Sequence, residues 1–472
     1  MKHTLLLPAL CLYMQASAWG PDVTVDPYLS GGVTDVIEAP DGSLVAAVAD
    51  TVPNDGTLIS FHLSLDGGMT WTPASYTVPG NGVSPRVKLV KSATAFHCLF
   101  LDGITVKVFT PGTGVTGSYT DYDAEEFDAV MTPAGWLYLY LQLPGSNSIR
   151  RAGSNDGGVT WTGNSASVTS TGSIPRLSIS PGDTVVLNYY GPVLADRPKS
   201  KVRSAFYTES SPGTLTPGTF QDVITDVTVD KWHYTSAIHG GRVWFLWEQG
   251  PIGGRTLWYR LSMDNGVNYG TAHQVVGGAG QDVADLRAIA HAEMGGTRLE
   301  VVHATYTTPG GMDPTQDLLV HHQVTGAAPD VFSTAAPISG HAPLDLPVND
   351  SPGLVALTGG GVGVLWPGHT TPDADLFWDT GGVPTVLPEL TDGMHARIIG
   401  PVTDALQLGY AMSAASDWTL MDATGRTLRN GMLPAAEQER IVTIEVRDLR
   451  AGTYLLLLQE HDTRRTLRFL KE

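Results

Sequence analysis

Apolar and polar residues alternate along short stretches of this chain, and Gly, Pro, Asp or Asn interrupts almost every stretch. Alternation with a period of two is typical of a β-strand with one buried face, and the interrupting residues favour tight turns. Very few segments repeat apolar residues at the spacing of a helix. The pattern therefore predicts an all-β fold that consists of many short strands.

One unit recurs seven times: a strand, a tight turn, a second and more apolar strand, and a more polar third strand. The first turns of these units lie near residues 41, 93, 134, 182, 240, 295 and 360. Blades of a β-propeller run about 40–50 residues, and these units match that size once loop insertions are allowed. We therefore predict a seven-bladed β-propeller over residues 19–398. A six-bladed ring is the alternative, if the second or seventh unit is misread.

A turn of the form Ser-x-Asp-x-Gly-x-x-aromatic follows the third strand in three of the units. The Asp carboxylate can accept backbone N–H bonds across the turn, and the Gly supplies a positive φ. The aromatic residue can pack under the hairpin and seal the gap between blades. The three copies comprise Ser64, Asp66, Gly68 and Trp71; Ser154, Asp156, Gly158 and Trp161; and Ser262, Asp264, Gly266 and Tyr269.

This pattern resembles the Asp-box, or bacterial neuraminidase repeat, which is found in sialidases and many other propellers. The third copy departs from it, because Asn268 replaces Thr and Tyr269 replaces Trp. The resemblance implies that the boxes are structural and lie at the rim of the blades, away from any active site. We therefore assign Asp66, Asp156 and Asp264 to folding.

The composition changes after about Pro401, where basic residues become more frequent and apolar residues alternate around two Gly turns. This pattern predicts a small C-terminal β-sandwich over residues 401–472. Two of its motifs resemble those of the sorting domain of the type IX secretion system. The resemblance implies that the type IX secretion machinery is a partner. A β-domain that mediates ligand binding is the alternative. The matching residues are Asp422, Gly425 and Arg426 in one motif, and Leu449, Gly452 and Tyr454 in the other.

The N-terminus has the features of an export signal. Lys2 and His3 precede a short apolar run from Leu5 to Tyr13, and Ala16-Ser17-Ala18 forms a small-residue cleavage site. The run is too short to cross a bilayer, and no later segment is long and apolar enough to be transmembrane. We therefore expect residues 1–18 to be a signal peptide. The mature chain is expected to pass through the periplasm and to be secreted or attached to the outer surface.

The composition argues against several functional classes. A formal net charge of −19 repels polyanions, so nucleic acid is not expected as a partner. The usual motifs for phosphate, zinc or disulfide chemistry are missing, so no cofactor and no metal site is expected. After signal removal Cys98 is the only cysteine, and its apolar surroundings favour a buried, inert thiol. The acidic run from Asp121 to Asp128 lacks EF-hand spacing and is interpreted as a solvated loop.

The sialidase resemblance implies an arginine cluster for the substrate carboxylate, a Tyr–Glu nucleophile pair and an Asp acid/base. Arg86, Arg176 and Arg287 each stand at the start of an innermost strand, so their side chains could converge on the central channel. Arg suits a carboxylate because its planar fork binds both oxygens. The alternative interpretation is that the three arginines are ordinary strand-start residues whose side chains donate to backbone carbonyls.

Tyr234 is the first candidate for the phenol and Glu248 for its carboxylate partner, with the Tyr189–Tyr190 pair and Glu38 as alternatives. The catalytic set is incomplete in the sequence. The leading hypothesis is therefore an exported propeller that binds extracellular ligands such as glycans. A sialidase-type glycoside hydrolase, an exo-α-sialidase, is the second hypothesis, and a structural surface protein is the third.

Overall fold

The computed structural model describes residues 19–472 except for 20–21, 30–31, 53–55, 75–77, 81–85, 112–113, 181–183, 278–280, 294–295, 308–316, 326–327, 339–342, 344–351, 359–360, 370–373, 382–394, 400–403, 413–414, 423–425, 451, 461–462 and 472. The predicted signal peptide, residues 1–18, lies outside the described residues. The chain divides into two compact units, Met1–Val383 and Pro384–Glu472.

The first unit is built almost wholly of strands, with one 3-10 turn at Arg197–Lys199. In chain order the strands of its first half are β1 (Val23–Leu29), β2 (Gly32–Glu38), β3 (Leu44–Val52), β4 (Gly56–Ser64), β5 (Thr72–Pro73), β6 (Val78–Gly80), β7 (Val87–Lys91), β8 (Phe96–Asp102), β9 (Thr105–Thr110), β10 (Gly114–Tyr119), β11 (Glu126–Met131), β12 (Leu137–Gln142), β13 (Ile149–Ser154), β14 (Thr162–Thr169), β15 (Ser173–Ile179), β16 (Thr184–Tyr190), β17 (Val202–Ser211) and β18 (Thr214–Ile224). The strands that complete the unit are β19 (Lys231–His239), β20 (Arg242–Gln249), β21 (Thr256–Ser262), β22 (His273–Val276), β23 (Asp282–Glu293), β24 (Gly296–Tyr306), β25 (Leu318–Val324), β26 (Ala336–Pro337), β27 (Gly353–Ala356), β28 (Val362–His369) and β29 (Ala374–Gly381).

These strands form seven antiparallel sheets within the described part of the chain. Blade 1 has the order β2-β3-β4-β5, with β6 also beside β4, and blades 2 to 6 follow in chain order as β7–β10, β11–β14, β15–β18, β19–β22 and β23–β26. Blade 7 has the order β27-β28-β29-β1, so the N-terminal strand completes the last sheet. Each of the seven recurring units of the sequence thus corresponds to one sheet.

The innermost strands of the seven sheets contact one another in a closed ring, in the order β2, β7, β11, β15, β19, β23, β27 and back to β2. This arrangement is a seven-bladed β-propeller, which confirms the predicted fold. The six-bladed alternative is wrong, because the second and seventh units each form a sheet of their own.

Apolar side chains lie mainly between neighbouring blades. Phe61 of blade 1 packs with Phe100 and Phe109 of blade 2, and the Phe61 and Phe109 rings stack with their centroids 5.1 Å apart. Trp244 of blade 5 packs with Leu299 of blade 6 in the same way. A single blade could not shield both of its faces from water, so burial of these faces requires the closed ring.

Two further expectations concern the interior and possible membrane spans. Cys98 is fully buried on β8, and burial raises the pKa of its thiol well above the ordinary value, which suits an inert thiol. Among the described residues, no helix combines the length and apolar character that a bilayer crossing requires.

The second unit is a small sandwich of two antiparallel sheets. Its strands are β30 (His395–Ile399), β31 (Ala405–Met412), β32 (Ser416–Asp422), β33 (Thr427–Leu433), β34 (Ala436–Glu445), β35 (Gly452–Glu460) and β36 (Thr463–Lys471). The sheets have the orders β30-β31-β34 and β33-β32-β35-β36, and Leu408, Leu420 and Leu456 are fully buried between them. Because β30 pairs with β31, this unit begins before residue 401.

Candidate functional site: the mouth of the central channel

The seven innermost strands enclose a cavity of about 480 Å³ along the axis of the propeller. Every blade begins with its innermost strand, so the starts of these strands lie at one end of the channel, which we call the mouth. Most of the charged lining residues lie toward the mouth, whereas Glu38 and Lys91 are the last residues of β2 and β7 and lie toward the other end. The charged and phenolic residues that line the cavity are Asp35, Glu38, Arg86, Lys88, Lys91, Asp128, Arg176, Tyr234 and Arg287.

Carboxylates of blade 3 connect the cationic side chains of blades 2 and 4. Arg86 Nη1 lies 3.1 Å from Asp128 Oδ2, and Arg86 Nε lies 3.6 Å from Glu126 Oε1. The same Glu126 oxygen lies 3.3 Å from Arg176 Nη1, while Lys88 Nζ lies 3.9 Å from Asp128 Oδ1. Only 4% of Arg86 is exposed, so its charge depends on both carboxylates for compensation.

Two aspartates also fasten one blade to the next. Asp35 Oδ2 accepts a 2.7 Å bond from the backbone N–H of Leu89, and Asp128 Oδ2 accepts a 2.7 Å bond from that of Leu177. Burial raises the pKa of Asp35 above its ordinary value, although Lys88 and the Leu89 N–H oppose that increase. The charged mouth is therefore part of the bonding that holds adjacent blades together.

Three lining residues directly follow a one-residue bulge in their innermost strand. The register skips one residue between Ser173 and Arg176, between Lys231 and Tyr234, and between Ala284 and Arg287. A bulge bends the strand and redirects the side chain that follows it. The repeated irregularity gives Arg176, Tyr234 and Arg287 equivalent positions on blades 4, 5 and 6.

Two of these bulges contain residues with a positive φ that are not glycine: Ile174 at 53° and Asp285 at 60°. For a β-branched residue such as Ile174 this conformation is a genuine outlier. Strained conformations of this kind cost about 1–3 kcal/mol each, persist only when the surroundings enforce them, and cluster at functional sites. The strain thus points to the mouth of the channel as the functional region.

Side chains of neighbouring blades hold the first bulge in place. The Ile174 N–H donates to Gln142 Oε1 of blade 3 over 2.8 Å, and the Ile174 carbonyl accepts a 2.6 Å bond from the Tyr234 hydroxyl of blade 5. Tyr190 packs edge-on against Tyr234, with ring centroids 5.0 Å apart. The Tyr234 phenol is thus used as a donor to the backbone.

The sequence suggested Glu248 as the carboxylate partner of the Tyr234 phenol, but the structure places the two side chains on opposite faces of the sheet. Glu248 is fully buried, accepts a bond from the Leu286 N–H over 3.1 Å, and lies 2.8 Å from His233 Nδ1. Trp247, one residue earlier, is the residue that pairs with Tyr234 across the sheet. Side chains alternate between the faces of a strand, so Glu248 lies on the opposite face from Trp247.

The alternative candidates also engage in structural bonds. Glu38 accepts bonds from both the backbone N–H and the hydroxyl of Thr358 on blade 7. The Tyr190 hydroxyl donates to the carbonyls of Lys231 and Trp232, and Tyr189 is buried.

The sequence interpretation missed the acidic side chains of the channel. Asp121 and Asp123 are exposed, as expected for a solvated acidic loop, but Glu126 and Asp128 belong to innermost strand β11. Assigning the whole run to a solvated loop was therefore wrong. The alternation of Glu126, buried Phe127 and Asp128 is the local signal that could have identified a strand.

The three Ser-x-Asp turns adopt one hydrogen-bond network. In the second turn the Ser154 hydroxyl donates to Asp156 Oδ1 over 2.7 Å, and the Gly158 N–H donates to Ser154 Oγ over 2.8 Å. The Thr160 N–H and hydroxyl donate to the two oxygens of Asp156 over 2.9 and 2.5 Å. The first turn repeats every bond, and in the third Asn268 Nδ2 replaces the Thr hydroxyl over 2.7 Å.

Each turn abuts the preceding blade. The glycine two residues after the Asp has a φ of 95°, 91° and 82° in the three turns, and a Cβ there would lie within 2.6 Å of a side chain of that blade. The neighbours are Trp378 for Gly68, Val108 for Gly158 and Phe206 for Gly266. The aromatic residues that end the turns, Trp71, Trp161 and Tyr269, are partly buried against the blade cores.

One C-terminal motif forms a local clasp. The Tyr454 hydroxyl donates to the Arg450 carbonyl over 2.7 Å, and the Leu449 N–H donates to the Val446 carbonyl over 3.0 Å. A tyrosine that bonds to the backbone a few residues upstream stabilises a corner in β-sandwiches. Gly425 and the side chain of Asp422 lie outside the described residues, and Arg426 is exposed.

Comparison with known proteins gave structural likenesses only. No family model matches the chain, and no curated protein matches it significantly. A protein of unknown function from Dyadobacter fermentans has a TM-score of 0.48 at 13% identity, covering 78% of this chain and 100% of that one. A Hadza microbial sialidase has a TM-score of 0.42 at 12% identity, covering 77% and 68%. A Trypanosoma rangeli sialidase in complex with sialic acid has a TM-score of 0.41 at 10% identity, covering 96% and 88%.

Proposed function

We propose that this chain is an exported bacterial propeller that binds an anionic extracellular ligand, such as an acidic glycan, at the mouth of its channel. The observation that carries the proposal is that Arg86, Arg176 and Arg287 line one cavity. Guanidinium groups bind carboxylates through paired hydrogen bonds. A cavity of about 480 Å³ lies within the usual range for small-ligand pockets, roughly 300–1,000 Å³.

The charge balance at the mouth supports an anionic ligand. Four cationic side chains, Arg86, Lys88, Arg176 and Arg287, stand near three carboxylates, those of Asp35, Glu126 and Asp128. Among these seven side chains the cations outnumber the carboxylates by one, in a chain whose formal net charge is −19. A locally positive potential on an otherwise negative protein attracts anions to the mouth.

Binding fits the Tyr234 environment better than hydrolysis does. A tyrosine nucleophile must lose its proton, whereas burial raises the pKa of Tyr234 well above its ordinary value, although the charge of Arg176 opposes that increase. A sialidase-type hydrolase remains the second candidate, because Tyr234 and the three arginines line the same cavity. A structural surface protein is the third.

Export and surface attachment complete the proposal. The signal-peptide features of residues 1–18 support passage through the inner membrane. The Leu449, Gly452 and Tyr454 motif supports delivery by the type IX secretion machinery through a C-terminal sorting domain. The three Ser-x-Asp turns support assignment to the Asp-box repeats, with a structural role at the seams between blades.

A glycan array probed with the purified full-length mature protein tests ligand binding, and release of 4-methylumbelliferone from a sialoside tests hydrolysis. We expect binding to acidic glycans that weakens with salt, and no turnover. Arg287→Met should remove most of the affinity, whereas Arg203→Met should not. Arg203 is the matched control, because it also pairs with a carboxylate, Asp222 at 2.7 Å, but lies on the third strand of blade 4.

Other outcomes contradict the proposal in distinct ways. Turnover of the sialoside that Arg287→Met abolishes would establish the hydrolase instead. A protein that shows no glycan binding and no sialoside turnover would favour the structural surface protein. An equal loss of glycan affinity in Arg287→Met and Arg203→Met would place the ligand outside the channel.

A further inference from the structure

The bulges before Arg176 and Arg287 are held by the same kind of bond. On blade 4, Gln142 at the end of β12 accepts the Ile174 N–H. On blade 6, Glu248 near the end of β20 accepts the Leu286 N–H. In each case the acceptor comes from the second strand of the preceding blade and binds the bulge just before the arginine.

A tyrosine hydroxyl fixes the other side of each bulge. Tyr234 donates to the carbonyl of Ile174 over 2.6 Å, and Tyr306 donates to Oδ2 of Asp285 over 2.8 Å. Both tyrosines are buried. On blade 4 both bonds reach the backbone of the strained Ile174, whereas on blade 6 one bond reaches the side chain of the strained Asp285 and the other the N–H of the next residue. Such bonds restrain the bulge, which is the condition for the strain to persist.

We propose that Tyr234 and Gln142 are positioning residues that aim Arg176 into the channel, and that Tyr306 and Glu248 do the same for Arg287. The bulge redirects the arginine, and the two bonds keep the bulge from reverting to a regular strand, in which the side-chain alternation would change. The Tyr234 phenol then acts through Arg176. The proposal rests on the proposed function only where it concerns the ligand.

The test compares Tyr234→Phe with Tyr138→Phe in full-length protein labelled with ¹⁵N-arginine. Tyr138 is a matched control, since its hydroxyl also makes a 2.7 Å bond to the next blade, to Glu209, but lies outside the channel lining. The readout is the Nε–H resonance of Arg176, which Arg176→Lys assigns by its disappearance. We expect Tyr234→Phe to shift or broaden this resonance and Tyr138→Phe to leave it unchanged.

Gln142→Met provides a second variant, because it removes the acceptor without touching the phenol. It should perturb the same resonance even if Tyr234→Phe fails to fold. Affinity for N-acetylneuraminic acid, the acid probe, should fall about tenfold in both variants, as expected for the loss of one well-placed hydrogen bond.

The outcomes separate the two proposals. An unchanged Arg176 resonance in both Tyr234→Phe and Gln142→Met would overturn the positioning role. A perturbed resonance in a protein that binds no acidic probe would support the positioning role and count against the proposed ligand. Sialoside turnover that Tyr234→Phe abolishes but Gln142→Met retains would make Tyr234 a catalytic residue and overturn the inference.

Discussion

Two adjacent glycines in the first Ser-x-Asp turn allow a direct test of how the turns seal the ring. Gly67 and Gly68 both have a positive φ, 74° and 95°. A Cβ on Gly67 would meet nothing within 4 Å, whereas a Cβ on Gly68 would lie 1.8 Å from Nε1 of Trp378. Alanine at either position strains the backbone, but only Gly68→Ala also drives an atom into blade 7.

The size of the two effects follows from separate contributions. Holding a Cβ at positive φ destabilises the folded state by about 1–2 kcal/mol. Alanine also restricts the unfolded chain more than glycine does, which offsets about 0.4–1 kcal/mol of that loss. Overpacking adds about 1–3 kcal/mol. We therefore expect a loss of about 1 kcal/mol for Gly67→Ala and about 2–4 kcal/mol for Gly68→Ala.

Trp378 cannot easily move aside to relieve the overlap. Its side chain is 1% exposed, Trp71 packs edge-on against it at 5.4 Å, and its ring also covers Gly363, where a Cβ would lie 1.8 Å away. Trp378 pairs with Val23 of the N-terminal strand. Displacing the indole should therefore loosen the seam at which the chain closes the ring.

Urea unfolding followed by tryptophan fluorescence measures the difference between the two variants, and hydrogen exchange of residues 23–29 reports the seam. The expected result is a lower midpoint and faster exchange for Gly68→Ala than for Gly67→Ala. Equal destabilisation of the two variants would refute the idea that the turns act by packing against the preceding blade.

Three further substitutions test other bonds. Hydrogen bonds, chiefly from the Asn268 backbone, lower the pKa of Asp264 to about 2 from its ordinary 3.8. The carboxylate therefore adds stability that is complete above the unfolded value and disappears as the pH falls through about 2. The difference in Tm between wild type and Asp264→Asn should stay constant above about pH 5 and shrink below pH 4 in thermal scans. Tyr454→Phe should destabilise the C-terminal sandwich by about 1 kcal/mol, detected as faster hydrogen exchange in β35. Asp128→Asn should cost about 3–5 kcal/mol in urea unfolding, because it removes a carboxylate that compensates nearly buried Arg86.

The blade count and the turns could be predicted from sequence because their determinants are local. Each second strand is apolar and each first turn contains turn-forming residues, so the seven units are visible without knowing their partners. The bonds of the Ser-x-Asp turns connect residues at most four positions apart, as from Gly158 to Ser154. Residue types at a fixed spacing therefore determine them.

The partners across the channel could not be predicted because they depend on ring closure. Glu126 and Arg86 are 40 residues apart and meet only when blades 2 and 3 pack side by side. An acidic residue gives the same local pattern whether it faces solvent or a channel. The composition around Glu126 and Asp128 therefore favoured a solvated loop.

The choice of Glu248 as partner for Tyr234 failed for a different reason. Both residues belong to one hairpin, so proximity along the chain was a reasonable guide. The bulge between Lys231 and Tyr234 shifts the register by one residue, which places Trp247 opposite Tyr234. A shift by one residue exchanges the faces of a strand, and no feature of the sequence marks this bulge.

The order of the blades around the ring explains how the charges of the channel lining are arranged. One lining residue from each blade gives the series Asp35, Lys88, Asp128, Arg176, Tyr234, Arg287 and Leu354. Signs alternate over the first four blades, where each carboxylate both binds the next blade and compensates a cation. Seven is an odd number, so alternation cannot continue around the whole ring, and neutral residues fall on both sides of Arg287. Arg287 thus has Tyr234 and Leu354 as its neighbours in this series, and its charge also acts on Asp35 two blades away, where it opposes the increase in the pKa of that carboxyl.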